Sequence, residues 1–454
     1  MKIIPDFFSV RRNLLLLGML PILLGLAGCK PVVSPPPGRI VIRYWDKWSG
    51  FEAEAMRAVV DDFNASQNRI WVDFSSVSQI NRKLMLAIGG GVPPDVAGLF
   101  GNTLAVYAEN NALTPLDRLA QENGVSQERY IQVFWNICHH LGHLWALPSS
   151  PASLGLVWNK KVFRENGLDP EHAPTSIEEL EKINDRLVRR DKQGRLVSVG
   201  HLPSEPGWWP AIWGWWFGGD LWDGHHITAD SPANLKAMEW IASYPKRFEA
   251  RELLSFRDGF GNFASPQNAF FTGRIAIILQ GPWIHTFIQK FAPPDFEWGV
   301  AAFPSADPKR LSGVTLVETD VLVIPAGASH PREAFEFIQY VNTLKPMEKL
   351  CLGQRKFSPL REVSADFFSR HPNPHIRTFL ELAQGPQARS VPPITIWALY
   401  ENDMKQAFGK VWTGATTPVA ALHEVQVHLE QEFTQRQRRW DRLADVLQQK
   451  WREE

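Results

Sequence analysis

The stretch from Ile40 to Val77 constrains the fold of this chain more than any other. Ile40 to Trp45 is a compact apolar run of strand length, and Ser49 with Glu52 three residues later forms a capping box. Ala55, Met56, Val59, Val60 and Phe63 then recur at helical spacing, and Ile70 to Val77 resumes as a strand. Strand, helix and strand in that order make a βαβ unit. It commits the chain to a parallel sheet and puts the loop after the first strand at the carboxyl end, where open α/β sheets bind ligands. That loop is Trp45-Asp46-Lys47-Trp48, two indoles flanking one acceptor and one donor. A surface turn closed by a salt bridge is the alternative.

A chain of 454 residues is too long for one ordinary core, which leaves room for two lobes with a cleft between them. Its formal net charge is zero, so a nucleic-acid or other polyanion partner has no electrostatic support. Cys29, Cys138 and Cys351 cannot build a disulfide framework, and the last two read as buried thiols.

Lys2, Arg11 and Arg12 precede an apolar run from Leu14 to Gly28, the charged-then-apolar order of an export signal. Pro21 breaks that run, which is too short for a comfortable membrane span. Leu26-Ala27-Gly28-Cys29 resembles the bacterial lipoprotein cleavage box, so 1–28 reads as a signal peptide and Cys29 as the lipidated residue that tethers the chain to a membrane. Residues 29–38, rich in proline, read as an extended spacer.

Between Gly207 and Gly224 fall six of the chain's 19 tryptophans, interrupted by glycines and Pro210. Indole faces stack on the C–H face of a pyranose, and glycines let a ligand approach the backbone. Any one ring can equally fill a core. The cluster is therefore expected to form a short helix and loops lining a cleft. Farther on, Gln280-Gly281-Pro282-Trp283 turns sharply after a buried strand and aims Trp283 outward, and Val321 to Ile324 is a strand preceded by Glu318 and Asp320. From Gln431 onward the chain reads as a solvated helix. Gly89-Gly90-Gly91 is a helix stop, since no Gly-Lys-Ser/Thr follows. His139 and His143 would share a helix face, but Gly142 interrupts it and they read as packing or surface residues; no metal or cofactor is expected.

Together these landmarks resemble extracellular solute-binding protein family 1, the maltose-binding-like lipoproteins of sugar ABC importers. The resemblance rests on Tyr44-Trp45-Asp46-Lys47-Trp48-Ser49-Gly50, Pro94-Asp95-Val96, Leu156-Val157-Trp158-Asn159-Lys160, Phe271-Thr272-Gly273-Arg274-Ile275-Ala276, Gly281-Pro282-Trp283 and Ile324-Pro325-Ala326-Gly327, in that order. It implies an α/β, two-lobed type II periplasmic-binding-protein fold. The implied first lobe is 39–150 with 301–343, the second is 151–300 with 344–434, and 435–454 is a helical extension. Crossings are implied near Leu147 to Ser153, Trp298 to Pro304 and Tyr340 to Pro346.

Carried over residue by residue, the resemblance makes Trp283 a stacking ring, Trp397 another from a late helix, and Trp208 and Trp209 the aromatic pair of the second lobe. Asp46, Lys47 and Asp95 become polar contacts of the first lobe, beside the Trp45 indole, and Asp320 a further one. The implied partners are a carbohydrate and the permease subunits of an importer, with a monomer held by its lipid in the periplasm or at the extracellular face of the membrane. The tryptophan density from Trp208 to Trp222 exceeds that of the maltodextrin-binding members. A glycoside hydrolase and a sensor subunit are the competing classes, and no motif assigns an acid and a nucleophile.

Overall fold

The computed structural model describes residues 35–453, so the signal peptide, Cys29 and most of the spacer lie outside the described residues. The βαβ unit folds as its periodicity requires. Ile40–Asp46 pairs in parallel with Ile70–Ser76, from Ile40 opposite Ile70 to Asp46 opposite Ser76. The helix between them, Gly50–Ser66, buries Ala55, Met56, Val59, Val60 and Phe63. The capping box does not form: Ser49 is the N-cap residue but makes no cap hydrogen bond. Glu52 turns instead toward Lys356, 3.6 Å away. At Ser176, by contrast, the side chain accepts a hydrogen bond from Glu179 N as a cap should.

Two sheets result. In the first, Ala388–Arg389, Thr315–Val323, Val96–Phe100, Ile40–Asp46 and Ile70–Ser76 lie side by side, and Leu147–Ser153 pairs separately with Thr315–Val323. In the second the order is Trp298–Ala301, Gly155–Asn159, Ile275–Gln280, Leu196–His201 and Arg189–Arg190. Each sheet carries its own apolar core, as expected of a two-lobed α/β molecule.

The cores show where the chain changes lobe. Leu147 packs in the first core and Leu154 in the second, so the first crossing coincides with the strand Leu147–Ser153. The next lies later than expected. Phe303, Val314, Leu316 and Val317 belong to the second core and Val321 to Ile324 to the first, so the strand Thr315–Val323 itself passes between lobes at Glu318-Thr319-Asp320. A register shift against Leu147–Ser153 marks that point. The expected crossing near Tyr340 to Pro346 also moves. Met347, Leu350 and Cys351 of the helix Leu344–Gln354, with Leu360 and Phe367, pack in the first core, and Ile376 and Phe379 in the second. The apolar side of that helix is buried against Gly50–Ser66, where Gly353 meets Ala55, and this keeps it with the first lobe although the resemblance implied a crossing before it. Cys138 and Cys351 are both buried free thiols.

The C-terminal segment departs most from expectation. Pro418–Glu453 is one helix of 36 residues, about 54 Å long at 1.5 Å per residue. Ala421, Leu422, Val425 and Leu429 pack on the second core, while Trp440, Leu447 and Trp451 pack on the first. The Trp451 ring is only 3% exposed. It stacks on Trp440 at 5.8 Å and meets Trp145 edge-on at 4.8 Å. Its Nε1 donates to Asn111 Oδ1 at 3.1 Å, and Gln448 Nε2 donates to Leu141 O at 3.2 Å. Charge-rich composition had suggested a solvated helix, but three apolar residues suffice to seat its end.

Trp451→Ala should therefore remove about 3–5 kcal/mol of packing at this seat. Hydrogen exchange read by mass spectrometry should show residues 440–453 losing protection while the core of the second lobe keeps it; unchanged protection there would contradict the packing.

Candidate ligand-binding site

The lobes enclose a cleft of about 520 Å³, within the usual range for small-molecule sites. Its second-lobe wall is aromatic. Trp208 and Trp209 follow Gly207, whose φ of +76° turns the chain sharply. Trp208 lies edge-on to Trp209 at 5.5 Å and to Phe263 at 4.6 Å. Trp283 faces Trp209 at 6.3 Å. Its ring folds back over Gly281, where a Cβ would collide with the indole, so glycine is required there. From the first lobe come Trp48, Phe51 and Phe100, and Phe51 reaches Phe287 of the opposite lobe edge-on at 6.3 Å. The two lobes thus touch across the mouth of the cleft.

The floor is polar and sits at the strand crossing. Asp320 is buried and receives Lys47 Nζ at 2.9 Å, Lys356 Nζ at 3.1 Å and the Trp48 indole N–H at 2.8 Å. Burial alone would raise its pKa, but Lys356 and then Lys47 outweigh burial and hold it at about 2, below the ordinary 3.8. Since its folded value lies below its unfolded one, this pairing stabilises the fold above about pH 4 and is lost as pH falls toward 2. The two ammonium groups also lie 5.1 and 4.8 Å from the Trp48 ring centroid, fixing that indole from both partners. Glu318, two residues before Asp320, also lines the cleft and stands differently. Burial, then Glu401, then Asp320 push its pKa up to about 7.

Of the expected site residues, the structure brings Trp208, Trp209, Trp283 and Asp320 to the cleft. It does not bring the others. Trp45 points to the opposite strand face from Tyr44 and Asp46 and packs half-buried against the first core. Asp46 is buried behind the floor, taking the Tyr44 hydroxyl and Trp48 N. Lys47 is spent on Asp320 and on Leu99 O. Asp95 precedes Val96–Phe100 and accepts from Arg43 N at 2.9 Å and His330 N at 3.0 Å. That is the strand end away from Phe100 and the cleft, roughly 16 Å along it. Trp397 is 3% exposed in the second core beside Tyr400. Half of the tryptophan cluster is core too. Trp213, Trp215 and Trp216 are buried, and the indole N–H of Trp216 donates to Val314 O at 3.1 Å. Core packing claims them because the short helix Trp213–Phe217 lies under Pro232–Phe248.

Sequence reasoning passed over Phe51, Phe263, Phe287, Glu318 and Lys356 as site residues. Phe51 adjoins the quoted first motif; nothing in the local pattern marks Lys356, which reaches the floor from the far side of a crossing. His139 and His140 also line the cleft, on a short hairpin rather than a helix, and no metal-holding cluster occurs among the described residues.

A model of the bacterial extracellular solute-binding protein family matches residues 50–347. The maltotriose-binding protein of Pyrococcus abyssi is 21% identical over 72% of this chain and 68% of its own length. The sn-glycerol-3-phosphate-binding periplasmic protein UgpB of Pectobacterium atrosepticum is 20% identical over 84% of this chain and 88% of its own. Among solved structures, CpMnBP1 with mannobiose bound superposes with a TM-score of 0.76 at 22% identity, covering 86% of this chain and 99% of that one. The fold is accordingly the type II periplasmic-binding-protein fold.

The floor is directly testable. Lys356→Met leaves Asp320 with one ammonium partner and should destabilise the protein by about 3–5 kcal/mol in urea unfolding. Lys356→Met combined with Asp320→Asn should recover part of that loss, because the buried Asp320 carboxylate is gone while Glu52 and Lys47 each lose a partner; a purely additive pair would show that the two groups are not coupled.

Proposed function

The chain belongs to the bacterial extracellular solute-binding proteins, and from that membership we propose that it captures a mono- or oligosaccharide between its lobes and delivers it to the permease of an ABC importer. The observation that carries this reading is the cleft wall: Trp208, Trp209 and Trp283 from one lobe face Trp48, Phe51 and Phe100 from the other. Flat apolar rings on two sides suit a pyranose, whose C–H faces stack while its hydroxyls reach for polar groups at the edge. Glu318 and Asp320 supply acceptors on the floor.

Closure follows from this division of labour. Rings of the two lobes engage a solute together only when the lobes approach, so a bound sugar shifts the population toward the closed state, which the transporter reads. The site of action is the periplasm or the extracellular face of the membrane, and the lipid on Cys29, followed by the proline-rich spacer, would hold the protein there. The protein works as a monomer in this reading, with no cofactor.

A thermal-shift screen against mono- and oligosaccharides, with amino acids, polyamines and peptides as controls, tests it. A saccharide class should raise the melting temperature selectively. Trp283→Ala should weaken that ligand by about 2 kcal/mol, roughly thirtyfold in Kd. A shift confined to the control ligands, or undiminished affinity in Trp283→Ala, would overturn the substrate or the site.

A further inference from the structure

The charges around the cleft are unevenly matched. Its charged lining comprises the carboxylates Glu52, Glu318 and Asp320 and the ammonium of Lys356. Lys356 is already engaged with Asp320 at 3.1 Å and Glu52 at 3.6 Å, and Lys47, behind the floor, with Asp320 at 2.9 Å. Glu318 is different: among the described residues no hydrogen bond or ion pair reaches its carboxylate. The groups that face it are Glu401 from the helix Trp397–Trp412, Asp320 from its own strand, and Lys356.

Phosphate is normally held by arginine or lysine, or by free N–H groups at a helix start. Each such group at this cleft already has a carboxylate beside it or is closed on itself. Every ammonium at the floor is spent on a carboxylate. The helix Gly50–Ser66 starts at the cleft, but the Glu52 carboxylate stands in its first turn and lines the cleft beside Phe51, and the helix start after Trp283 is closed on itself, since Ile284 N, His285 N and Thr286 N donate to Gly281 O, Pro282 O and Trp283 O. What remains is a half-buried carboxylate among aromatic faces, an acceptor without a donor.

We infer that Glu318 sets the charge class of the ligand, accepting hydrogen bonds from the hydroxyl groups of an uncharged solute and turning phosphate esters away. This rests on the carbohydrate reading and narrows it to neutral saccharides. It is a separable claim, because carbohydrate binding could be correct with Glu318 uninvolved.

Calorimetric titration of the full-length protein in detergent micelles, with mannobiose, maltotriose and sn-glycerol 3-phosphate at pH 6 and pH 8, tests it. A carboxyl titrating at about 7 is about one-tenth ionised at the lower pH and nine-tenths at the higher, so a ligand that donates to the carboxylate should bind about tenfold more tightly at pH 8. Glu318→Gln should remove most of that slope. His139 and His140 are present in both proteins, so the difference between the two profiles belongs to Glu318. The phosphate ester should produce no binding heat at pH 8, where the carboxylate is charged. A saccharide bound with the same slope in Glu318→Gln would overturn the inference and leave the carbohydrate reading standing. Preferential binding of sn-glycerol 3-phosphate to the wild type would overturn both. Binding of none of the three would remove the carbohydrate reading and this inference with it.

Discussion

Asp320 is the residue on which the rest of the architecture turns. It sits where one strand passes from one lobe to the other, and it receives two ammonium groups and an indole N–H from separate parts of the chain. Lys47 and Trp48 come from the loop after the first strand, and Lys356 comes from beyond the helix Leu344–Gln354. A buried carboxylate is costly unless its lone pairs are met, and meeting them here fixes three chain segments at the base of the cleft. The same arrangement holds Trp48 rigid for a solute.

A division between covered and uncovered aromatic rings follows from local backbone. Strand alternation sends Trp45 to the outer face and Asp46 inward, and the short helix Trp213–Phe217 buries its indoles beneath Pro232–Phe248. The rings left facing the cleft sit beside glycines: Trp208 after Gly207 and Trp283 over Gly281. The backbone bends there in ways a Cβ would oppose, and the side chain is turned out of the core as a result.

This is also why the sequence was legible in some places and not in others. The βαβ unit could be read because both of its signals, apolar spacing and length, are local. The turn at Trp283 could be read because proline and glycine restrict the backbone within a few residues. The floor could not, since the partnership of Lys356 with Asp320 depends on a helix docking against Gly50–Ser66, and no local pattern reports that docking. The lobe boundary that the resemblance implied after residue 343 moved for the same reason, since the helix Leu344–Gln354 packs in the first core. Asp95 was misplaced because it was carried over by resemblance although it opens the strand Val96–Phe100 and so lies at the amino end, away from the cleft at the carboxyl end.

The C-terminal helix has a mechanical consequence. It is seated in both cores, by Leu422, Val425 and Leu429 at one end and Trp451 at the other, and an α-helix resists stretching because each turn is closed by hydrogen bonds. The helix therefore straps the two lobes together along one edge, and any movement of one lobe against the other has to carry this strap along or unseat Trp451, a part of the chain that lines no wall of the cleft.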